Sequence, residues 1–258
     1  MLETLTARAE DAGLNAAAPR EQRWIDGWLV RYSPGKAKRA RCINAVADGR
    51  LSLDERLALA AAVYRDAGLP MFVRITPFTR PATLDAELAA RGWARIDDTR
   101  VMLAPELAPA LQAHAGLPAP QGFTWNIVDS AAFAATVGAL RGSPLEQREA
   151  HAKRLAGAPV PHTALTLVHE ADGAVLACGQ VAVEADLAGL YDVFTASQAR
   201  GQGHAARLCR RLLGLAMEQG ARAGYLQVEA DNSPARTIYG RLGFADAFAY
   251  HYRQAPEA

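Results

Sequence analysis

The stretch from Leu190 to Gln219 constrains the fold of this chain most. Leu190-Tyr191-Asp192-Val193-Phe194-Thr195 reads as a strand, Gly201 and Gly203 mark a turn, and 203–219 carries apolar residues at 205, 208, 209, 212, 213 and 216. That is the i, i+3, i+4 stripe of an amphipathic helix. The first N–H groups of such a helix have no partner within it and lie at the positive end of its dipole. Glycines let a phosphate approach them closely, so the turn is a candidate anion site. The plain alternative is a tight strand-to-helix turn that binds nothing. Gly201-Gln202-Gly203-His204-Ala205-Ala206 also fits a GxGxxA dinucleotide pattern, but only 57 residues follow Gly201, too few for the βα units such a fold needs. No Gly-Lys-Ser/Thr follows, so there is no P-loop.

Strands and helices alternate around this segment. Strands are expected over 123–128, 163–169, 174–184, 225–229 and 244–253, and helices over 131–140, 145–156 and 233–242. The first half repeats the ending of this plan at an offset of 151 residues: Leu57-Ala58 falls on Leu208-Cys209, and Arg91-Gly92-Trp93 on Leu242-Gly243-Phe244. Strands over 28–32, 41–46 and 71–75 and helices over 53–66 and 83–91 complete it. We read a diverged internal duplication. Its seam lies in the proline-rich stretch Pro105 to Gly122, dividing the 258 residues into 1–118 and 119–258. Trp24, Trp28 and Trp93 are expected in the core of the first half.

Composition narrows the function. Lys+Arg total 28 and Asp+Glu 27, a balance that argues against a nucleic-acid or polybasic membrane surface. The basic run from Gly35 to Arg41 reads first as a solvated loop, and more sharply as a contact for an anionic acceptor or partner. Cys42, Cys178 and Cys209 lack CxxC spacing and read as buried thiols, and the six histidines show no metal-ligand spacing, so no metal is expected. The opening Met1-Leu2-Glu3-Thr4 lacks signal-peptide character, and a cytoplasmic protein is expected.

Two blocks carry a family resemblance. Gln198-Ala199-Arg200-Gly201-Gln202-Gly203 and, 29 residues on from Gly203, Asn232-Ser233-Pro234-Ala235-Arg236-Thr237-Ile238-Tyr239-Gly240-Arg241-Leu242-Gly243-Phe244 resemble the Q/R-x-x-G-x-G/A and N-x-x-A-x-x-x-Y-x-x-x-G-F segments of the GCN5-related N-acetyltransferase (GNAT) superfamily. The resemblance covers roughly 121–253. It implies an α/β fold (α+β in some schemes) of two tandem GNAT-like domains, each with a mixed, mostly antiparallel sheet flanked by helices. The first would be degenerate, because Tyr239 falls on Leu88, and Gly201 and Gly203 fall on Arg50 and Ser52.

The resemblance also implies acetyl-CoA as cosubstrate. Its pantetheine arm would lie along Val193, Phe194 and Thr195, and its pyrophosphate on the turn formed by Gln198, Arg200, Gly201, Gln202, Gly203, His204 and Ala205. Asn232 and Ala235 would complete the site. His204 is left open as a phosphate contact or a surface ring. The implied reaction is direct attack of an amine on the thioester, with Tyr239 as acid toward the leaving thiolate. Asp192 and Glu229 both remain candidates for the base. The acceptor would be a small-molecule or peptide amine, with no nucleic acid or membrane partner, and the chain a monomer or homodimer. A non-catalytic acyl-CoA sensor on the same fold is the alternative.

Overall fold

The computed structural model describes residues 2–256. The first half contains α1 (Leu2–Ala16), β1 (Gln22–Ile25), β2 (Trp28–Arg31), β3 (Ile43–Ala45), α2 (Leu53–Asp66), β4 (Phe72–Ile75), α3 (Leu84–Ala90) and β5 (Ala94–Ala104). A 3-10 helix over Pro109–Ala115 leads into the second half: β6 (Phe123–Val128), α4 (Ser130–Leu140), α5 (Leu145–Ala156), β7 (His162–His169), β8 (Val175–Glu184), β9 (Leu187–Thr195), α6 (His204–Glu218), β10 (Ala223–Glu229), α7 (Ser233–Arg241) and β11 (Ala245–Gln254).

These strands form one mixed sheet in the order β1-β2-β3-β4-β11-β5-β10-β9-β8-β7-β6, and its centre is an exchange. β5, which ends the first half, pairs antiparallel with β10 of the second, from Gly224↔Ala104 to Glu229↔Thr99. β11, which ends the second half, pairs with β4 of the first, from His251↔Ile75 to Gln254↔Phe72. Met102 and Ala104 of β5 therefore pack in the core of the second half with Leu208, Leu212 and Leu226.

The apolar stripe of α6 buries Leu208, Cys209, Leu212, Leu213 and Ala216 against that sheet. Full burial of one leucine contributes about 1.5–3 kcal/mol, so the stripe fixes which face of the helix packs on the sheet. α1 bridges the halves. Ala9, Ala12 and Ala16 pack against Leu187 and Tyr225 of the second half, while buried Glu10 pairs with Arg74 of β4.

In the first half, Ser52 starts α2 with a capping box: its hydroxyl accepts from Glu55 N–H (3.3 Å) and the Glu55 carboxylate accepts from Ser52 N–H (2.8 Å). Ser52→Ala is expected to lower stability by about 1 kcal/mol, read from urea denaturation.

One sequence expectation is corrected. Trp28 and Trp93 are buried, but Trp24 is 65% exposed. It sits on β1, an edge strand with three of its four residues facing solvent. All three cysteines are buried and free. Among the described residues, no helix is long and apolar enough to cross a membrane.

Candidate active site

β9 and β10 run parallel but pair only from Leu187↔Ala223 to Leu190↔Leu226. Beyond that point each follows its other neighbour, β9 with β8 to Thr195↔Ala177 and β10 with β5 to Glu229↔Thr99. A wedge opens between them, with residues 191–195 along one side. Gly179 of β8 faces both Asp192 and Val193, a β-bulge, and Asp192 takes φ +50°. The bulge turns the strand's edge groups into the wedge.

The glycine turn follows the end of β9 at Thr195, after a 3-10 turn over Ser197–Ala199. Gly201 and Gly203 have φ of +77° and +78°, a region where a side chain is strained, and Gly203 is the N-cap of α6 with no capping side chain. Among the described residues, no protein acceptor meets the backbone N–H groups of 201–206. Arg207 braces the turn from the helix, donating from Nη1 to the Gln202 carbonyl at 2.7 Å. An array of open donors at a helix start fits a pyrophosphate.

Around the turn, Gln198 accepts from the Ser197 hydroxyl (3.3 Å), and Arg200 lies 5.8 Å over the Phe194 ring. The Thr195 hydroxyl is buried without a partner. The His204 ring is buried rather than on the surface. It is 3% exposed, packs edge-on against Phe123 at 5.5 Å, and places Nε2 3.2 Å from Gln202 Oε1. Its Nδ1 is buried without a partner, and its backbone N–H, beside that of half-buried Ala205, is open.

Across the wedge, Asn232 caps α7, its side chain accepting from Ala235 N–H at 3.2 Å. Tyr239 follows two turns later, buried at 9% exposure, with its ring edge-on to Phe244 at 6.3 Å. Its hydroxyl has no hydrogen-bond partner among the described residues, and the residue lines the cleft. Burial raises the phenol above its ordinary value, so it stays protonated at neutral pH.

The two candidate bases differ sharply. Glu229 is exposed at the end of β10, in the cleft wall and without an ion-pair partner among the described residues. Asp192 is fully engaged: Arg141 donates to Oδ1 at 2.8 Å, Gln180 to Oδ2 at 2.9 Å, and His151 Nε2 lies 3.3 Å from Oδ2. Burial alone would raise the Asp192 carboxyl, but His151 and Arg141 outweigh it and hold the group well below the usual carboxylate range. Such a lowered pKa adds stability that is present above the unfolded value near 3.9 and is lost as the pH falls toward the folded value. Asp192→Asn is therefore expected to lower Tm at pH 7, with the gap to the native chain closing below about pH 4 in melts across that range.

The wedge widens into a cleft of about 540 Å³ walled by both halves. α5 contributes Arg148, His151 and Arg154, three residues apart on one face, and the first half contributes Arg39 from the basic run. Arg39 donates to Gln227 Oε1 (2.5 Å) and lies 5.6 Å over the Tyr191 ring, which also meets His162 at 5.6 Å and Tyr225 at 6.1 Å. Burial, aided by the Arg154 charge, pushes His162 down to about 4, so this imidazole is neutral at pH 7.

The corresponding turn of the first half is already filled. The Asp26 carboxylate accepts from Arg50 N–H (3.0 and 2.8 Å) and Leu51 N–H (2.8 Å), and Ser52 and Glu55 cap the helix that follows. These backbone donors hold the Asp26 pKa below its ordinary value. The chain's own carboxylates occupy the place where the second half leaves its donors open.

Residues 6–253 match the family model described as "Probable histone acetyltransferase Rv0428c C-terminal". The chain belongs to this acetyltransferase family. A relative of this family member, described as an uncharacterized N-acetyltransferase YobR of Bacillus subtilis, is 26% identical over 235 residues, covering 90% of this chain and 91% of that protein. Two solved structures share the fold. A GCN5-related N-acetyltransferase from Kribbella flavida has a TM-score of 0.66 at 18% identity, covering 98% of this chain and 96% of its own. A tandem GNAT protein from the clavulanic acid biosynthesis pathway has a TM-score of 0.61 at 19% identity, covering 80% and 70%. The fold is thus of the tandem GNAT type, with the exchanged strands joining its two halves in one sheet. Among the described residues of this acetyltransferase, no group of three His, Cys, Asp or Glu is placed to hold a metal.

Proposed function

We propose that the chain is an acetyl-CoA-dependent N-acetyltransferase with one working site, in residues 119–258, that acts on a primary amine by direct attack. The observation that carries this reading is the open N–H array of 201–206 beside a parted strand pair that ends at the free hydroxyl of Tyr239. The N–H groups of Gly201 to Ala205 would hold the pyrophosphate, whereas that of Arg200 already donates to the Ser197 carbonyl (3.4 Å). The edge of Val193, Phe194 and Thr195 would bond the pantetheine arm in the manner of an added strand. When bound, acetyl-CoA supplies an activated thioester and a thiol leaving group.

The chain's own groups supply the rest. An alkylamine has a pKa near 10.4 and must lose a proton before it attacks. Glu229, exposed and unpaired, takes that proton directly or through a water. Asp192, locked as an anion by Arg141, Gln180 and His151, fixes the bulge. The Val193 N–H donates to the thioester oxygen as negative charge builds there. The Tyr239 hydroxyl donates to the departing sulfur. Residues 1–118 do not turn over acetyl-CoA, because Asp26 and the Ser52 cap fill their turn and Leu88 stands in place of a tyrosine.

Thiol release from acetyl-CoA with a panel of amines, with the acetylated product identified by mass spectrometry, tests this reading. Amine-dependent release supports it. Acetyl-CoA that raises Tm but is never consumed would instead favour the sensor.

A further inference from the structure

The charge of the acceptor cleft is lopsided in a way the chemistry of acetyl transfer does not require. Lys36, Arg39, Arg141, Arg148 and Arg154 line it, against two carboxylates, Asp192 and Glu229. Arg141 is spent on Asp192 at 2.8 Å. Arg148 donates to the Ser143 carbonyl at 2.7 Å. Lys36 is exposed and Arg148 is tied back to the turn before its own helix, so Arg39 and Arg154 are the half-buried guanidinium groups left facing the cleft; neither has a carboxylate partner among the described residues, and the side-chain partner of Arg39 is the neutral amide of Gln227.

Removing a guanidinium from water without a counter-charge is costly, so two of them facing one cavity call for an anion from outside. They are close enough to feel each other. Burial lowers the Arg154 pKa, and Arg39 lowers it further against the pull of Asp192. They also come from different halves, Arg39 from the loop between β2 and β3 and Arg154 from α5, so the duplicated architecture itself brings them together. Guanidinium groups bind carboxylate and phosphate in a fixed two-pronged geometry, which suits recognition as well as charge balance.

We propose that the acceptor is a small amine that carries its own carboxylate or phosphate, with Arg39 and Arg154 holding the acid group while the amine faces Glu229. This rests on the acetyltransferase reading above. It makes a lysine within a cationic protein tail the wrong acceptor, since such a tail would meet like charge on the cleft wall.

Matched amines of equal chain length test it: an alkylamine, the ω-amino acid and the aminoalkyl phosphate, with a lysine-rich peptide as a fourth arm. Thiol release is followed for the native chain, Arg39→Met and Arg154→Met, with Arg39→Lys and Arg154→Lys as charge-keeping versions. An acid-bearing amine is expected to exceed the plain amine in kcat/KM by about 30-fold or more. In each Met variant that ratio should fall toward one, mainly through KM, with partial recovery in the Lys variants. The amino acid and phosphate arms tell the two acid groups apart. Preference for the plain amine or the peptide overturns the proposal, and so does a ratio the variants leave intact. If no amine is consumed, the acetyltransferase reading fails, and calorimetry with the aminoalkyl phosphate and the amino acid judges the anion site alone. Binding lost in the Met variants upholds that site, and absent or unaltered binding overturns it.

Discussion

Gly203→Asp is expected to weaken acetyl-CoA binding by about 100-fold or more while the chain remains folded. Gly203 has φ +78° and caps α6 without a capping side chain, and a Cβ added there would meet only Arg207, whose Nη1 lies at 3.5 Å. A carboxylate there would accept from the N–H groups that are open in 201–206, as Asp26 does at the corresponding turn of the first half. Charge-assisted hydrogen bonds contribute about 1.5–3 kcal/mol each, so losing one or two and adding a like charge costs about 3 kcal/mol, about 100-fold in Kd. Backbone strain adds to the effect on stability, and Gly68→Asp isolates it. Gly68 has φ +64°, with open space around it, and follows α2 far from the turn. The two variants should share a modest fall in Tm, but only Gly203→Asp should lose acetyl-CoA in a fluorescence or calorimetric titration. Equal affinity in Gly203→Asp and the native chain would remove the turn from the binding site.

Tyr239→Phe is expected to reduce kcat by about 10²–10⁴-fold, the range in which a positioned acid contributes, with KM for acetyl-CoA changed only a few-fold. The hydroxyl has no protein partner among the described residues, so its loss removes no internal hydrogen bond and Tm should stay close to that of the native chain. The ring keeps its contact with Phe244 in the variant. A large fall in Tm with kcat preserved would instead make the hydroxyl structural.

The parts of this account that are legible in the sequence are local ones. The strand, the two glycines and the apolar stripe of α6 lie within thirty consecutive residues, and each feature fixes the next. The exchange of β5 and β11 has no such signature. Ala94–Ala104 and Ala245–Gln254 follow equivalent Gly-aromatic pairs, and nothing nearby says whether each returns to its own half or crosses to the other. The cleft residues show the same limit. The spacing of Arg148, His151 and Arg154 announces a polar face on α5, but not that the loop carrying Arg39 stands opposite. The run from Gly35 to Arg41 has the composition of a solvated loop, and tertiary folding alone turns Arg39 inward. Asp26, which fills the first half's turn, lies 24 and 25 residues from the N–H groups it binds. The loss of glycine at Arg50 and Ser52 is visible in the sequence, whereas the carboxylate that replaces a ligand is visible only in the structure.

The claim on which the rest depends is that one half of this duplicated chain binds acetyl-CoA and the other does not. Isothermal titration of the native chain with acetyl-CoA measures this directly. One acetyl-CoA per chain is expected. Two per chain, or none, would contradict it.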